Sequence, residues 1–256
     1  MKKRYYIVTG VITYLAFLLA TIPAAAVLSQ IQKHVPTIAF AGVSGLLWNG
    51  TASAITINRQ HLLSDTDWQL NGWRILSGEL STHVSTRYQQ QPVSGDIGVN
   101  LFGKVIARDV NANMPASMVA QLAQMPLGEF GGVVAMQFSQ LEWKPRQVPH
   151  ATGTILWNNA AVSVAETAEL GNITITLSDD GDRPIKAIIN NRGGQIKLEG
   201  DANVGDDGEY SLQLTLLPNN TASRNIRSSL GMIAKPLQNG SYQINNKGNL
   251  KQLGII

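Results

Sequence analysis

The chain of 256 residues contains no cysteine, which excludes disulfides and thiolate metal ligation from anything it does. Hydrophobic packing and main-chain pairing must hold its fold. It also lacks a basic surplus in its body: Lys2, Lys3 and Arg4 match the net charge of +3, and the remaining 17 basic residues balance 17 acidic ones. A nucleic-acid-binding domain needs a basic patch or stripe, so no nucleic acid is expected as a partner. Acidic residues are missing from residues 211–256, where Arg224, Arg227, Lys235, Lys247 and Lys251 are the only charged side chains, whereas residues 165–210 carry ten acidic and four basic ones. Such asymmetry steers docking between partners, pairs internally within one fold, or is simply solvated. On the first of these readings, the five basic residues form a candidate partner surface.

Long apolar runs are absent except at the start, where uncharged residues 7–28 directly follow Lys2, Lys3 and Arg4. As a helix rising about 1.5 Å per residue, this run spans roughly 33 Å, against a hydrocarbon core of about 30 Å. Basic residues beside a membrane segment stay cytoplasmic. Residues 1–6 are therefore expected as a cytoplasmic tail and 7–28 as a transmembrane anchor, with the bulk of the chain on the far side. The competing reading is a cleavable signal peptide, because Ala24, Ala25 and Ala26 supply small residues and Pro23 closes a shorter apolar core. Both readings export the rest of the chain.

Past a short linker expected over 29–36, apolar residues recur at alternate positions, as in residues 52–58, 104–110 and 195–200. That period means strands with one buried face. Between them stand Asn49-Gly50, Asn71-Gly72, Asp180-Gly181, Gly193-Gly194, Asp206-Asp207-Gly208 and Asn239-Gly240, residues that tolerate the positive φ of hairpin turns. Two short helices are expected. One follows Asn113, with Pro115 in its first turn and Met118, Leu122 and Met125 along one side; the other covers about 223–230, with Ile226 and Leu230 four apart. The fold class is mainly β: an N-terminal membrane helix, then an antiparallel, hairpin-rich body over 37–256. Residues 45–52 echo residues 153–160, with Trp48 and Trp157 109 positions apart, which suggests two similar halves, 37–148 and 149–256, joined near Lys144-Pro145-Arg146.

The candidates for chemistry read as structural. Gly42-Val43-Ser44-Gly45 is one residue short of a nucleophile elbow, so Ser44 reads as a turn residue. His34, His61, His83 and His150 have no ligand spacing, and the Asp179 and Asp206 loops lack the spaced ligands and closing glutamate of a calcium loop. Trp48, Trp68, Trp73, Trp143 and Trp157 lie in or beside expected strands and read as core packing. No catalytic residue, metal or cofactor is expected.

Taken in order, residues 43–52 (with Gly45, Trp48 and Gly50), Asp65-Thr66-Asp67-Trp68, Leu76-Ser77-Gly78-Glu79-Leu80, Gly153-Thr154-Ile155-Leu156-Trp157, residues 193–200 (with Gly194 and Gly200), Gly208-Glu209-Tyr210 and Gly248-Asn249-Leu250 resemble the type II secretion system protein N family, also called general secretion pathway protein N. Leu217-Pro218-Asn219-Asn220 departs from the pattern in lacking a basic residue after the proline. The resemblance implies a non-enzymatic inner-membrane protein with a periplasmic domain, accessory to export of folded exoproteins. Its partners would be other type II secretion components, and the motif positions would be structural. A second reading, a lipid-binding or lipid-bridging protein of the AsmA-like kind, fits the same membrane helix and hairpins, with a curved apolar sheet face as the lipid groove.

Overall fold

Where the expected membrane run reaches Thr21-Ile22-Pro23, the chain breaks into two helices, α1 (Lys2–Ala20) and α2 (Ala24–His34). Pro23 has no N–H to continue the helix and disfavours helical backbone at the residue before it; it sits at φ −68°, ψ 133° as the cap of α2. This structure, a computed structural model, describes residues 2–57, 60–123, 128–163, 166–181 and 183–251. Among them, no helix is long and apolar enough to cross a membrane. Most of the expected linker is helical as well, since α2 runs to His34.

The chain divides into two compact units, 1–101 and 102–256. In the first, β1 (Ile38–Ala41), β3 (Asn49–Ile57), β4 (Gln60–Leu70), β5 (Glu79–Tyr88) and β6 (Gln91–Asn100) pair antiparallel in that order, with β2 (Ser44–Gly45) on β3. The alternation expected over 52–57 is present: Ala52 is buried while Thr51 and Ser53 face out. The β3–β4 ladder is irregular where Ile55 and Thr56 pair with Leu63 and His61, which leaves one extra residue on β4. Asn58, the last residue of that expected strand, lies outside the described residues. A third short helix not foreseen, α3 (Gly72–Ile75), joins β4 to β5.

The second unit is a meander of β7 (Val105–Pro115), β8 (Glu129–Trp143), β9 (His150–Ser163), β10 (Thr167–Ser178), β11 (Ile185–Arg192), β12 (Ile196–Val204), β13 (Glu209–Pro218), β15 (Tyr242–Asn249) and β14 (Lys235–Pro236), each antiparallel to the next. Helix α4 (Ala116–Leu122) follows β7. It buries Ala116 and Ala120, keeps Met118 half-buried and leaves Leu122 mostly exposed, so the expected stripe fails at Leu122; Met125 lies outside the described residues. Residues 144–149, expected as a joint between halves, are the turn of the paired β8–β9 hairpin. Trp48 precedes β3 while Trp157 lies inside β9, so the echoed residues occupy different local positions.

Helix α5 (Arg224–Ile233) closes the second unit's core. The Ser223 hydroxyl oxygen accepts from the Ile226 N–H at 3.1 Å while its own O–H donates to Glu166 Oε2 at 2.7 Å, capping the helix N-terminus. Ile226 and Leu230, four residues apart, then bury against Ile173, Ile196, Leu198 and Leu216 on one sheet face. Without disulfides, that apolar contact is what holds α5 to the sheet. Leu230→Ala should therefore lower the unfolding free energy of this unit by about 2–5 kcal/mol, while Met232→Ala, at a residue 82% exposed, changes it by less than about 0.5 kcal/mol. Urea unfolding of the full chain in mild detergent checks this; equal effects would remove α5 from the core.

Candidate functional site

The tryptophans do most of the work at the sheet ends. Trp48 Nε1 donates to the Leu19 carbonyl at 2.7 Å, Trp68 Nε1 to the Leu47 carbonyl at 3.1 Å, and Trp157 Nε1 to the Gly131 carbonyl at 2.8 Å. Trp157 also meets Phe130 at a ring-centroid distance of 6.2 Å. Trp73 and Trp143 are 82% and 50% exposed, so the expectation of core packing fails for these two.

The glycine motif positions have steric causes. A Cβ on Gly50 would strike the Trp68 ring, so only glycine lets that ring lie across β3. Gly194, at φ +81°, packs its backbone against Leu170 and Gly171. Gly45, at φ +84°, ends β2 opposite Gly50, Gly78 lies in a turn, Gly200 lies against Leu214 across the β12–β13 ladder, and Tyr210 covers its partner Gly248.

The structure does not assemble the candidates for chemistry into one site. The Ser44 hydroxyl shares a 2.7 Å hydrogen bond with the Thr51 hydroxyl on the paired strand. His34 Nδ1 meets the Gln30 carbonyl within α2, His83 Nδ1 lies 2.7 Å from Asp96 across the β5–β6 pair, and His61 is on β4. Asp180 and Asp207 accept from the main-chain N–H groups of Arg183 and Glu209, which is turn chemistry. Asp182 lies outside the described residues. Among the described residues, no group of three or more His, Asp or Glu could hold a metal ion.

One polar cluster escaped the sequence reading because its members are far apart in the chain. His150 Nδ1 lies 2.7 Å from Asp179 Oδ2, and its Nε2 lies 4.0 Å from Asp206 Oδ1, so one imidazole joins the start of β9 to the turns after β10 and β12. Asp179 is held below the usual carboxylate range first by the Gly181 N–H on its Oδ1 and then by His150. Nearby, partial burial of Glu142 opposes its charge, but hydrogen bonds from Lys104 and Gln140 outweigh that and lower its pKa.

The five candidate partner residues lie on α5 (Arg224 and Arg227), β14 (Lys235), β15 (Lys247) and just beyond it (Lys251). Arg227 donates to the Asn219 carbonyl at 2.5 Å. None of the five forms an ion pair with an acidic residue among the described residues. The described residues of the acidic stretch therefore do not neutralise them through direct pairing. A groove of about 660 Å³, lined by Arg183, Asp207, Glu209 and Lys247 among others, opens at the end of β12, β13 and β15. The apolar sheet face that a lipid would need in this unit is occupied by Ile226 and Leu230 of α5.

An apolar helical leader on an antiparallel β-meander, with its polar groups engaged in turns and caps, defines a mainly-β scaffold. The chain belongs to the type II secretion system protein N family, whose family model matches residues 36–245. It is 24% identical, over 98% of its own length and all of the relative's, to the type II secretion system protein N of Aeromonas hydrophila. No solved structure matches it. This membership makes it a component of type II secretion, a protein-transport process.

Because Asp179 and Glu142 have lowered folded-state pKa values, the stability they contribute is complete above the unfolded carboxylate range and is lost as pH falls through the folded values. Asp179→Asn and Glu142→Gln should therefore melt below the unsubstituted protein at pH 7, with the gap closing on acidification toward pH 3. Thermal melts across that range check this, and a gap constant with pH would contradict it.

Proposed function

We propose that this chain is an inner-membrane-anchored accessory component of the type II secretion pathway, working without catalysis through protein–protein contacts that support export of folded exoproteins. The family match over residues 36–245, which takes in strands of both units, carries this reading. Lys2, Lys3 and Arg4 stay in the cytoplasm, the apolar leader within 7–28 enters the inner membrane, and the strands of both units lie in the periplasm. Two features of α1 support the anchor. Tyr6, Ile7, Phe17 and Leu19 are each more than half exposed, a state that lipid relieves. Tyr5 and Tyr6 stand at the basic end of α1, where aromatic side chains favour an interface.

The contact surface is the one built from Arg224, Arg227, Lys235, Lys247 and Lys251. Beyond β14, which pairs only with Tyr242 and Gln243, the outer edge of β15 runs on through Asn245 and Lys247, leaving main-chain groups for an incoming acidic strand. Charge reversal of all five residues should reduce co-purification with the other inner-membrane secretion components in mild detergent by roughly tenfold or more, and more strongly at low salt. Undiminished capture by the reversed protein would remove this surface from the assembly.

A further inference from the structure

A second surface of the first unit is apolar, exposed and unexplained by secretion contacts. Trp73 is 82% exposed, Leu76 81%, Leu101 85% and Leu80 56%, with Ile75 and Val99 also exposed. These residues are neighbours. Leu80 and Val99 are direct partners across β5–β6, Leu101 donates its N–H to the Gly78 carbonyl, and α3 is hydrogen-bonded onto the same end through Asn71 and Ser81. Gly78, at φ +77°, leaves the space in which Leu101 lies, since a Cβ there would stand 3.0 Å from Leu101 Cδ1. Large contiguous apolar patches mark interaction sites.

The position of the patch says what covers it. The Leu70 N–H donates to the Trp48 carbonyl, Trp48 Nε1 to the Leu19 carbonyl, and the Leu47 N–H to the Ile22 carbonyl, so the exit of α1 is bonded to the same end of the sheet as the patch. Pro23 and Leu46 form a bridge there as well. No free linker separates leader from sheet, and a bilayer that holds α1 must lie against this end. Charge does not oppose contact: the patch segments 70–80 and 97–101 hold only Arg74 and Glu79, which form an ion pair at 3.1 Å. Tryptophan beside leucine and valine is the composition that settles at the headgroup boundary, with apolar side chains reaching roughly 5–10 Å inward.

We propose that Trp73, Ile75, Leu76, Leu80, Val99 and Leu101 form a membrane-dipping cap that seats the first unit's sheet end-on against the bilayer. This rests on the reading that α1 enters the membrane, and the two are separable by experiment. The chain has no cysteine, so single cysteines placed at Leu15, Leu76 and Gln90 carry a fluorophore each without background. Gln90 lies in the β5–β6 turn at the opposite end of the same hairpin. In full-length protein reconstituted into neutral phosphatidylcholine vesicles containing a lipid-attached nitroxide quencher, labels at Leu15 and Leu76 should be quenched at least threefold more than the label at Gln90. Quenching at Leu15 with none at Leu76 overturns the cap and leaves the anchor standing; quenching at Leu76 with none at Leu15 supports the cap and removes the anchor. Shielding of Leu76 that depends on protein concentration and not on quencher identifies a second copy as the occupant and overturns the proposal. A second variant, Trp73→Ser with Leu101→Ser, should reduce quenching at Leu76 by about half or more while leaving Leu15 unchanged, and unchanged quenching at Leu76 counts against the cap.

Discussion

The hydrogen bond from Trp48 Nε1 to the Leu19 carbonyl fastens an apolar helix to the end of a sheet. Helix α1 ends at Ala20 because Thr21-Ile22-Pro23 cannot continue it, and the carbonyls left without helical partners there are the ones Trp48 and Leu47 reach. The break that shortens the apolar helix thus creates the acceptors that clamp it. Trp68 repeats the device one strand away by donating to Leu47, and Gly50 makes room for its ring. Three residues of the family resemblance, Trp48, Gly50 and Trp68, therefore belong to one joint between leader and sheet.

The second unit meets the lack of disulfides differently. Its meander leaves one apolar sheet face, and α5, capped by Ser223 and bonded through it to Glu166, covers that face with Ile226 and Leu230. The helix also carries Arg224 and Arg227, two of the five basic residues between positions 211 and 256. One element thus supplies both core and charge.

Much of the architecture was legible in the chain. Alternation at 52–57 and 195–200 became β3 and β12, Asp-Gly and Gly-Gly pairs became hairpin turns, and Ile226 and Leu230 became the buried stripe of a helix. These features depend on neighbours in sequence, where period and turn chemistry act. What was not legible depends on distant partners. The His150–Asp179 contact joins residues 29 apart, and Trp48 reaches back 29 residues to Leu19. Trp73 read as core because tryptophan usually is, yet it follows Asn71-Gly72 on a helix of four residues that has no second layer above it. The anchor over 7–28 was read from run length, lack of charge and the basic flank, with Pro23 weighed only as the end of a signal-peptide core, whereas Pro23 also breaks the helix through backbone geometry.

The central claim is that leader and first sheet move as one body, with no flexible tether between them. Spin labels at Ile12→Cys on α1 and Gln69→Cys on β4, in full-length protein reconstituted into vesicles, test it by pulsed dipolar spectroscopy. A joint bonded through Trp48, Leu47 and Pro23 gives a single narrow distance distribution. A broad distribution, as a loose linker produces, would contradict the account.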